Sequence, residues 1–220
     1  TDSRNRVYYM DLGNARQPRR HSEVVRLLDD FDATYNYVGN DGPVFYFFTN
    51  LEAPRGKLIA IDTRRPARAD WRTVIPQSEA TLRDVSVIGG RFIADYLEDA
   101  HSRVTMFAKD GRRIADVPLP TLGSVGVISG RADSPEMFYS FTSFIYPTTI
   151  FRYDVATGTN TVLRAPRLDF DPSRYETQQV FYRSRDGTRV PMFLTHRRDL
   201  QRDGSNPTLL YAYGGFNISE

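Results

Sequence analysis

Apolar positions along this chain fall in short runs and alternations broken by turn residues, with almost nothing at helical spacing. Val7-Tyr-Tyr-Met10, Val44-Phe-Tyr-Phe-Phe48, Leu58-Ile-Ala-Ile61, Val104-Thr-Met-Phe107, Met137-Phe-Tyr-Ser-Phe141 and Ile150-Phe-Arg-Tyr153 have the length and the β-branched or aromatic content of strands. Val85-Ser-Val-Ile88 and Arg91-Phe-Ile-Ala-Asp-Tyr96 flank Gly89-Gly90, which predicts a hairpin, and Thr157-Gly158 predicts another before Thr161-Val-Leu163. One stretch, His21 to Asp29, carries the pairs Val24-Val25 and Leu27-Leu28 at a spacing a helix would tolerate. Its place in the series of strands predicts a strand there.

The strands are organised by a repeat. Val7-Tyr-Tyr-Met-Asp-Leu-Gly13, Leu58-Ile-Ala-Ile-Asp-Thr63, Val104-Thr-Met-Phe-Ala-Lys-Asp-Gly111 and Ile150-Phe-Arg-Tyr-Asp-Val-Ala-Thr-Gly158 are each a β-rich run ending in an aspartate and a turn. The aspartates are Asp11, Asp62, Asp110 and Asp154, at spacings of 51, 48 and 44 residues. That period fits four-stranded blades of a β-propeller, typically about 40–50 residues each. The pattern predicts the end of one blade and about three more, over residues 1–168.

Beyond the polar, proline-containing Asp169-Phe-Asp-Pro-Ser-Arg174 the pattern changes. Gln179 to Arg185 and Arg189 to Thr195 flank Asp186-Gly187, a strong hairpin signal. Pro191 cannot donate a ladder hydrogen bond, so its strand should lie near an edge. After a second turn, Asp203-Gly-Ser-Asn-Pro207, comes Leu209-Leu-Tyr-Ala-Tyr213, a nearly unbroken apolar run expected as a strand buried on both faces of a parallel sheet. It stops at Gly214-Gly215, where the backbone can turn sharply and lie close to a ligand. Two antiparallel strands followed by a buried one suit the opening of an α/β-hydrolase sheet. The expected architecture is therefore mainly β: a partial propeller of three to four blades over residues 1–168, then the first strands of an α/β-hydrolase domain over residues 169–220.

Composition narrows the chemistry. With no cysteine there is no disulfide, thiolate metal site or cysteine nucleophile. A net charge of +2, with acids and bases interspersed, gives no case for nucleic-acid or membrane partners. His21, His101 and His196 have no partner spacing for a metal and read as surface residues, so neither a metal nor a cofactor is expected. The first residue is Thr1, not an initiator Met, and the chain reads as an internal segment of a longer protein. Its compartment stays open between cytoplasm and periplasm.

Tyr-Ala-Tyr-Gly-Gly-Phe-Asn-Ile-Ser (residues 211–219), together with Tyr175 to Leu194, resembles the prolyl oligopeptidase family of serine peptidases. In that family a similar passage leads from a β-propeller into the hydrolase domain. The resemblance is most specific between Tyr175 and Ser219 and runs more loosely over the rest. It implies an enzyme that cleaves short peptides on the carboxyl side of proline, monomeric at full length, with the propeller restricting access. It also implies roles for individual residues. Tyr213, just before the glycines, would donate its phenolic hydroxyl to the oxyanion, as a neutral donor with a pKa near 10 can do at neutral pH. Phe216 would line the apolar pocket for the substrate's proline, and Thr1 falls near a propeller edge that faces the active-site cavity. Phe141-Thr-Ser-Phe144 with Pro147 looks like the family's blade pattern and suggests packing.

No Gly-x-Ser-x-Gly nucleophile elbow occurs in the chain, and in α/β-hydrolases the Ser, Asp and His follow the oxyanion loop. The triad is therefore expected beyond residue 220, and this segment alone should not hydrolyse peptides. Two other readings stay open. A non-catalytic propeller that binds a protein partner explains the repeats equally well. An oligopeptidase B-type enzyme cutting after basic residues shares the general plan, although Phe216-Asn217 favours the prolyl type.

Overall fold

The computed structural model describes residues 2–14, 16–19 and 21–213. A first antiparallel pair joins β1 (Val7–Met10) to β4 (Val24–Leu28), with a small hairpin of β2 (Gly13–Asn14) and β3 (Gln17–Pro18) between them. Three four-stranded antiparallel sheets follow. The first holds β5 (Tyr35–Asp41), β6 (Val44–Thr49), β7 (Lys57–Asp62) and β8 (Arg72–Ile75). The second holds β9 (Thr81–Ile88), β10 (Arg91–Glu98), β11 (His101–Phe107) and β12 (Arg113–Asp116). The third holds β13 (Ser124–Gly130), β14 (Glu136–Ser143), β15 (Tyr146–Asp154) and β16 (Asn160–Arg164). Strands follow one another edge to edge in each sheet, which is the construction of propeller blades. The stretch with helix-compatible spacing is a strand, since Val24, Val25, Arg26 and Leu28 pair with β1.

The blades stack by their faces, and the core lies between them. One apolar layer joins the first and second blades through Tyr46, Leu58, Ile75, Leu82, Phe92 and Tyr96. Another joins the second and third through Ile88, Ile93, Met106, Met137, Phe141 and Phe151. A middle strand therefore meets a neighbouring blade on both faces, which is why β7 and β10 are buried along most of their length. The outermost strands β12 and β16 are mostly exposed. First strands lie against first strands, β5 against β9 and β9 against β13, so they sit at the inner end of the stack.

The recurring aspartates have a local cause. Asp62 and Asp154 end the third strands of their blades, Asp110 lies in the turn after β11 and Asp11 follows β1, and in each case Oδ1 accepts backbone N–H groups of the turn that follows. Asp11 accepts from Gly13 at 2.7 Å, Asp62 from Arg64 at 3.0 Å and Asp110 from Arg112 at 2.9 Å. Asp154 accepts from Ala156 and Thr157, both at 2.8 Å. A short carboxylate that closes the turn on its own backbone is favoured wherever that turn recurs.

Beyond the blades, a 3₁₀ turn (Pro172–Arg174) leads into a two-stranded hairpin of β17 (Tyr175–Arg183) and β18 (Arg189–Arg197). Its turn spans residues 184–188, with Gly187 at φ +86°. Pro191 lies opposite Phe181 in this sheet, where both strands keep an open edge. The run from Leu209 to Tyr213 departs from expectation. It is not a strand, and Leu209 and Leu210 are 90% and 82% exposed. A strand of a parallel sheet needs partners for its backbone groups and cover on its faces, and among the described residues no strand runs beside this segment.

Candidate functional site

Antiparallel order places the turns of each blade on two rims. On one rim the first-to-second turns meet: Gly89 N–H donates to Arg131 O at 3.1 Å and Gly90 N–H to Ala132 O at 2.9 Å. On the other lie the second-to-third turns, around residues 50–56, 99–100 and 144–145. Here Leu82 N–H donates to Arg55 O at 2.8 Å and Ser102 N–H to Gly123 O at 2.9 Å, again from blade to blade.

The β17–β18 hairpin rests on this second rim. Gln179 Nε2 donates to the Asp99 carbonyl, Arg189 lies 3.9 Å from the Asp99 carboxylate, and Phe193 packs on Phe144 with ring centroids 5.8 Å apart. Between hairpin and blades is a mainly apolar cleft of about 220 Å³, lined by Ala100, Leu122, Gly123, Thr142, Phe144 and Phe193. Asp99 and Ala100 hold φ of +45° and +65° in the tight turn that presents them. The segment ending in Tyr213 follows this hairpin.

Tyr213 is 45% exposed and outside any strand, and its hydroxyl has no hydrogen-bond partner among the described residues. Thr1 and Phe216 lie outside the described residues. The histidines differ from their reading as surface residues. His21 is exposed, but His101 is half-buried. The His196 side chain is 12% exposed, because Glu176 sits opposite it in the hairpin ladder, 3.6 Å away, while its Nδ1 contacts Arg197 O at 2.8 Å.

A buried ion pair passed unnoticed in the sequence. Asp95, in the middle of β10, is buried beside Arg83 of β9, whose Nη2 donates to Asp95 Oδ2 at 2.7 Å. A bulge in β9, which opposes Asp84 and Arg83 to this one position, aims the guanidinium there. The same Nη2 also reaches Ser102 Oγ at 2.9 Å and Val125 O, on the next blade, at 3.3 Å. Burial pushes the Asp95 carboxyl up to about 6, against the pull of Arg83. The available signal was an aspartate within Phe-Ile-Ala-Asp-Tyr, at a position where the strand is otherwise apolar.

Stacked four-stranded blades with their first strands at the inner end define a β-propeller domain. Residues 1–166 match the domain described as "Prolyl oligopeptidase, N-terminal beta-propeller domain". The chain belongs to the prolyl oligopeptidase family. It is 36% identical to a prolyl endopeptidase of Elizabethkingia meningoseptica over 98% of its own length and 30% of that protein's. It is 32% identical to the dual function macrocyclase-peptidase POPB of Amanita bisporigera over 88% of the chain and 27% of that protein. Among solved structures, a prolyl endopeptidase at 36% identity superimposes with a TM-score of 0.84, over 100% of this chain and 31% of that one. The apo form of prolyl oligopeptidase B from Galerina marginata, at 27% identity, gives 0.82 over 91% and 29%. The chain thus spans under a third of the length of these relatives.

Proposed function

We propose that this chain is part of a serine endopeptidase that hydrolyses short peptides on the carboxyl side of proline. The observation that carries the reading is the conjunction of family membership with the Tyr-Gly-Gly-Phe sequence at residues 213–216, downstream of the hairpin on the blade rim. Residues 1–168 act as the propeller that restricts access, and residues 169–220 open the α/β-hydrolase domain. In that domain Leu209 to Tyr213 gains the strand neighbours it lacks here. Tyr213 donates to the oxyanion, Phe216 forms a wall of the proline pocket, and Thr1 faces the cavity from the propeller. The nucleophile, base and orienting carboxylate come from residues outside this chain, so the segment alone is inactive. At full length the enzyme acts as a monomer.

The catalytic logic is that of a donor aimed at charge that exists only in the transition state. A tyrosine hydroxyl held against the tetrahedral oxyanion binds it more strongly than the ground-state carbonyl, which lowers the barrier without tightening substrate binding. Removing one such donor typically costs about 10²–10³ in kcat. Tyr213→Phe in the full-length protein, assayed with a Gly-Pro reporter peptide, should lose turnover on that scale with little change in KM. Wild-type turnover in the variant would remove Tyr213 from the oxyanion site. Faster cleavage after Arg or Lys than after Pro by the unaltered enzyme would replace the substrate assignment.

A further inference from the structure

The Arg83–Asp95 pair is more than an ion pair within one blade. Arg83 Nη2 reaches Val125 O on β13, and Ser102 Oγ, which accepts from Arg83, also accepts from Val125 N–H at 2.9 Å. Ser102 N–H in turn donates to Gly123 O at 2.9 Å. One guanidinium, one hydroxyl and one carboxylate therefore hold the inner strand of the third blade to the second. We propose that Arg83, Asp95 and Ser102 form a proton-sensitive latch between these two blades, closed when Asp95 is ionised and loosened when it is neutral.

The geometry supplies the reason. Among the described residues Asp95 Oδ1 is buried without a hydrogen-bond partner, and the carboxylate is held in place through Oδ2 and Arg83. Arg83 is the less confined member, its side chain 35% exposed against 9% for Asp95. Once Asp95 is neutral, its Oδ2 accepts from Arg83 only as an uncharged and weaker acceptor, beside a hydroxyl and a carbonyl at 3.3 Å, and water competes for the guanidinium at its exposed side. The charged groups acting on Asp95 are Arg83, which favours the ionised form, and Asp84, which opposes it. The opposing position on β11 is Val104, and β13 presents Val125, so neither strand brings a charge there. Arg103 of β11 is engaged elsewhere, by Glu98 at 2.7 Å. The raised Asp95 carboxyl puts the change in a mildly acidic range instead of at strong acid.

The latch does not depend on the peptidase assignment, and its test reads structure instead of turnover. Backbone hydrogen exchange of the full-length protein would be compared at about pH 7.5 and about pH 5, after correction for intrinsic rates. Protection at Ser102 and Val125 should fall about tenfold or more on acidification, the scale of one charge-assisted hydrogen bond. Protection at Phe47, in the first blade, should not change. Asp95→Asn, neutral at every pH, should show the low protection at both values, and Arg83→Gln should do the same. Unchanged wild-type protection between the two pH values would overturn the proposal. So would a pH-dependent loss that persists in Asp95→Asn, or a loss shared equally by Phe47.

Discussion

The spacing between blades can be tested at a single atom. Gly111, in the turn from β11 to β12, has φ +90°, and a β-carbon there would stand 2.0 Å from Val74 O on the outer strand of the preceding blade. Substitution by alanine therefore meets two penalties: left-handed backbone strain of about 1–2 kcal/mol and overpacking against a backbone atom of about 1–3 kcal/mol. Gly158, in the equivalent turn of the third blade, supplies the control. It has φ +77°, but a β-carbon there would lie 3.7 Å from the Tyr153 hydroxyl, an ordinary contact. Gly158→Ala should show the strain alone, and Gly111→Ala should be less stable than Gly158→Ala by about 2 kcal/mol. Urea denaturation of both variants, followed by far-UV circular dichroism, measures the difference. Equal losses would refute the reasoning, because the blades would then yield at Val74 at no cost.

Other expectations follow from the same packing. Phe92 is fully buried between the first and second blades, edge-on to Tyr46 at 4.9 Å, so Phe92→Ala should destabilise by about 3–5 kcal/mol in the same assay. Asp95 offers a linkage test. Its folded-state carboxyl, at about 6, lies above the ordinary 3.8, so the folded protein binds the proton more tightly than the unfolded chain. The stability this contributes is fully present below about pH 4 and lost as pH rises through about 6, a total of roughly 3 kcal/mol. Asp95→Asn should flatten that component, read as the wild-type-minus-variant difference in unfolding free energy across the range; a difference independent of pH would contradict the burial argument. The direction is compatible with a loosened latch, since a proton can relieve the buried charge while freeing Arg83. Tyr213→Phe remains the test of the oxyanion assignment, by the loss of kcat described above.

Much of the propeller was legible because its signals are local. Leu58-Ile-Ala-Ile61 and Phe92-Ile-Ala94 are apolar at successive positions, as strands covered on both faces must be. The aspartates at Asp11, Asp62, Asp110 and Asp154 recur because each closes its own turn, an interaction spanning two or three residues. Gly89-Gly90 marked a hairpin because both residues take positive φ. Tertiary structure decided the rest. The stretch from His21 became a strand through β1, a partner 14 residues earlier at the Met10–Val24 pairing and 21 residues earlier at the Val7–Leu28 pairing. Asp95 lies in an apolar strand, but only the β9 bulge and the neighbouring blade give it Arg83, Ser102 and the link to Val125. Leu209 to Tyr213 shows the converse: its composition suits a buried strand, yet composition supplies no partner. Turn chemistry and strand periodicity are properties of adjacent residues. Burial, ion pairing and sheet membership depend on what packs alongside, and that was settled only when the blades came together.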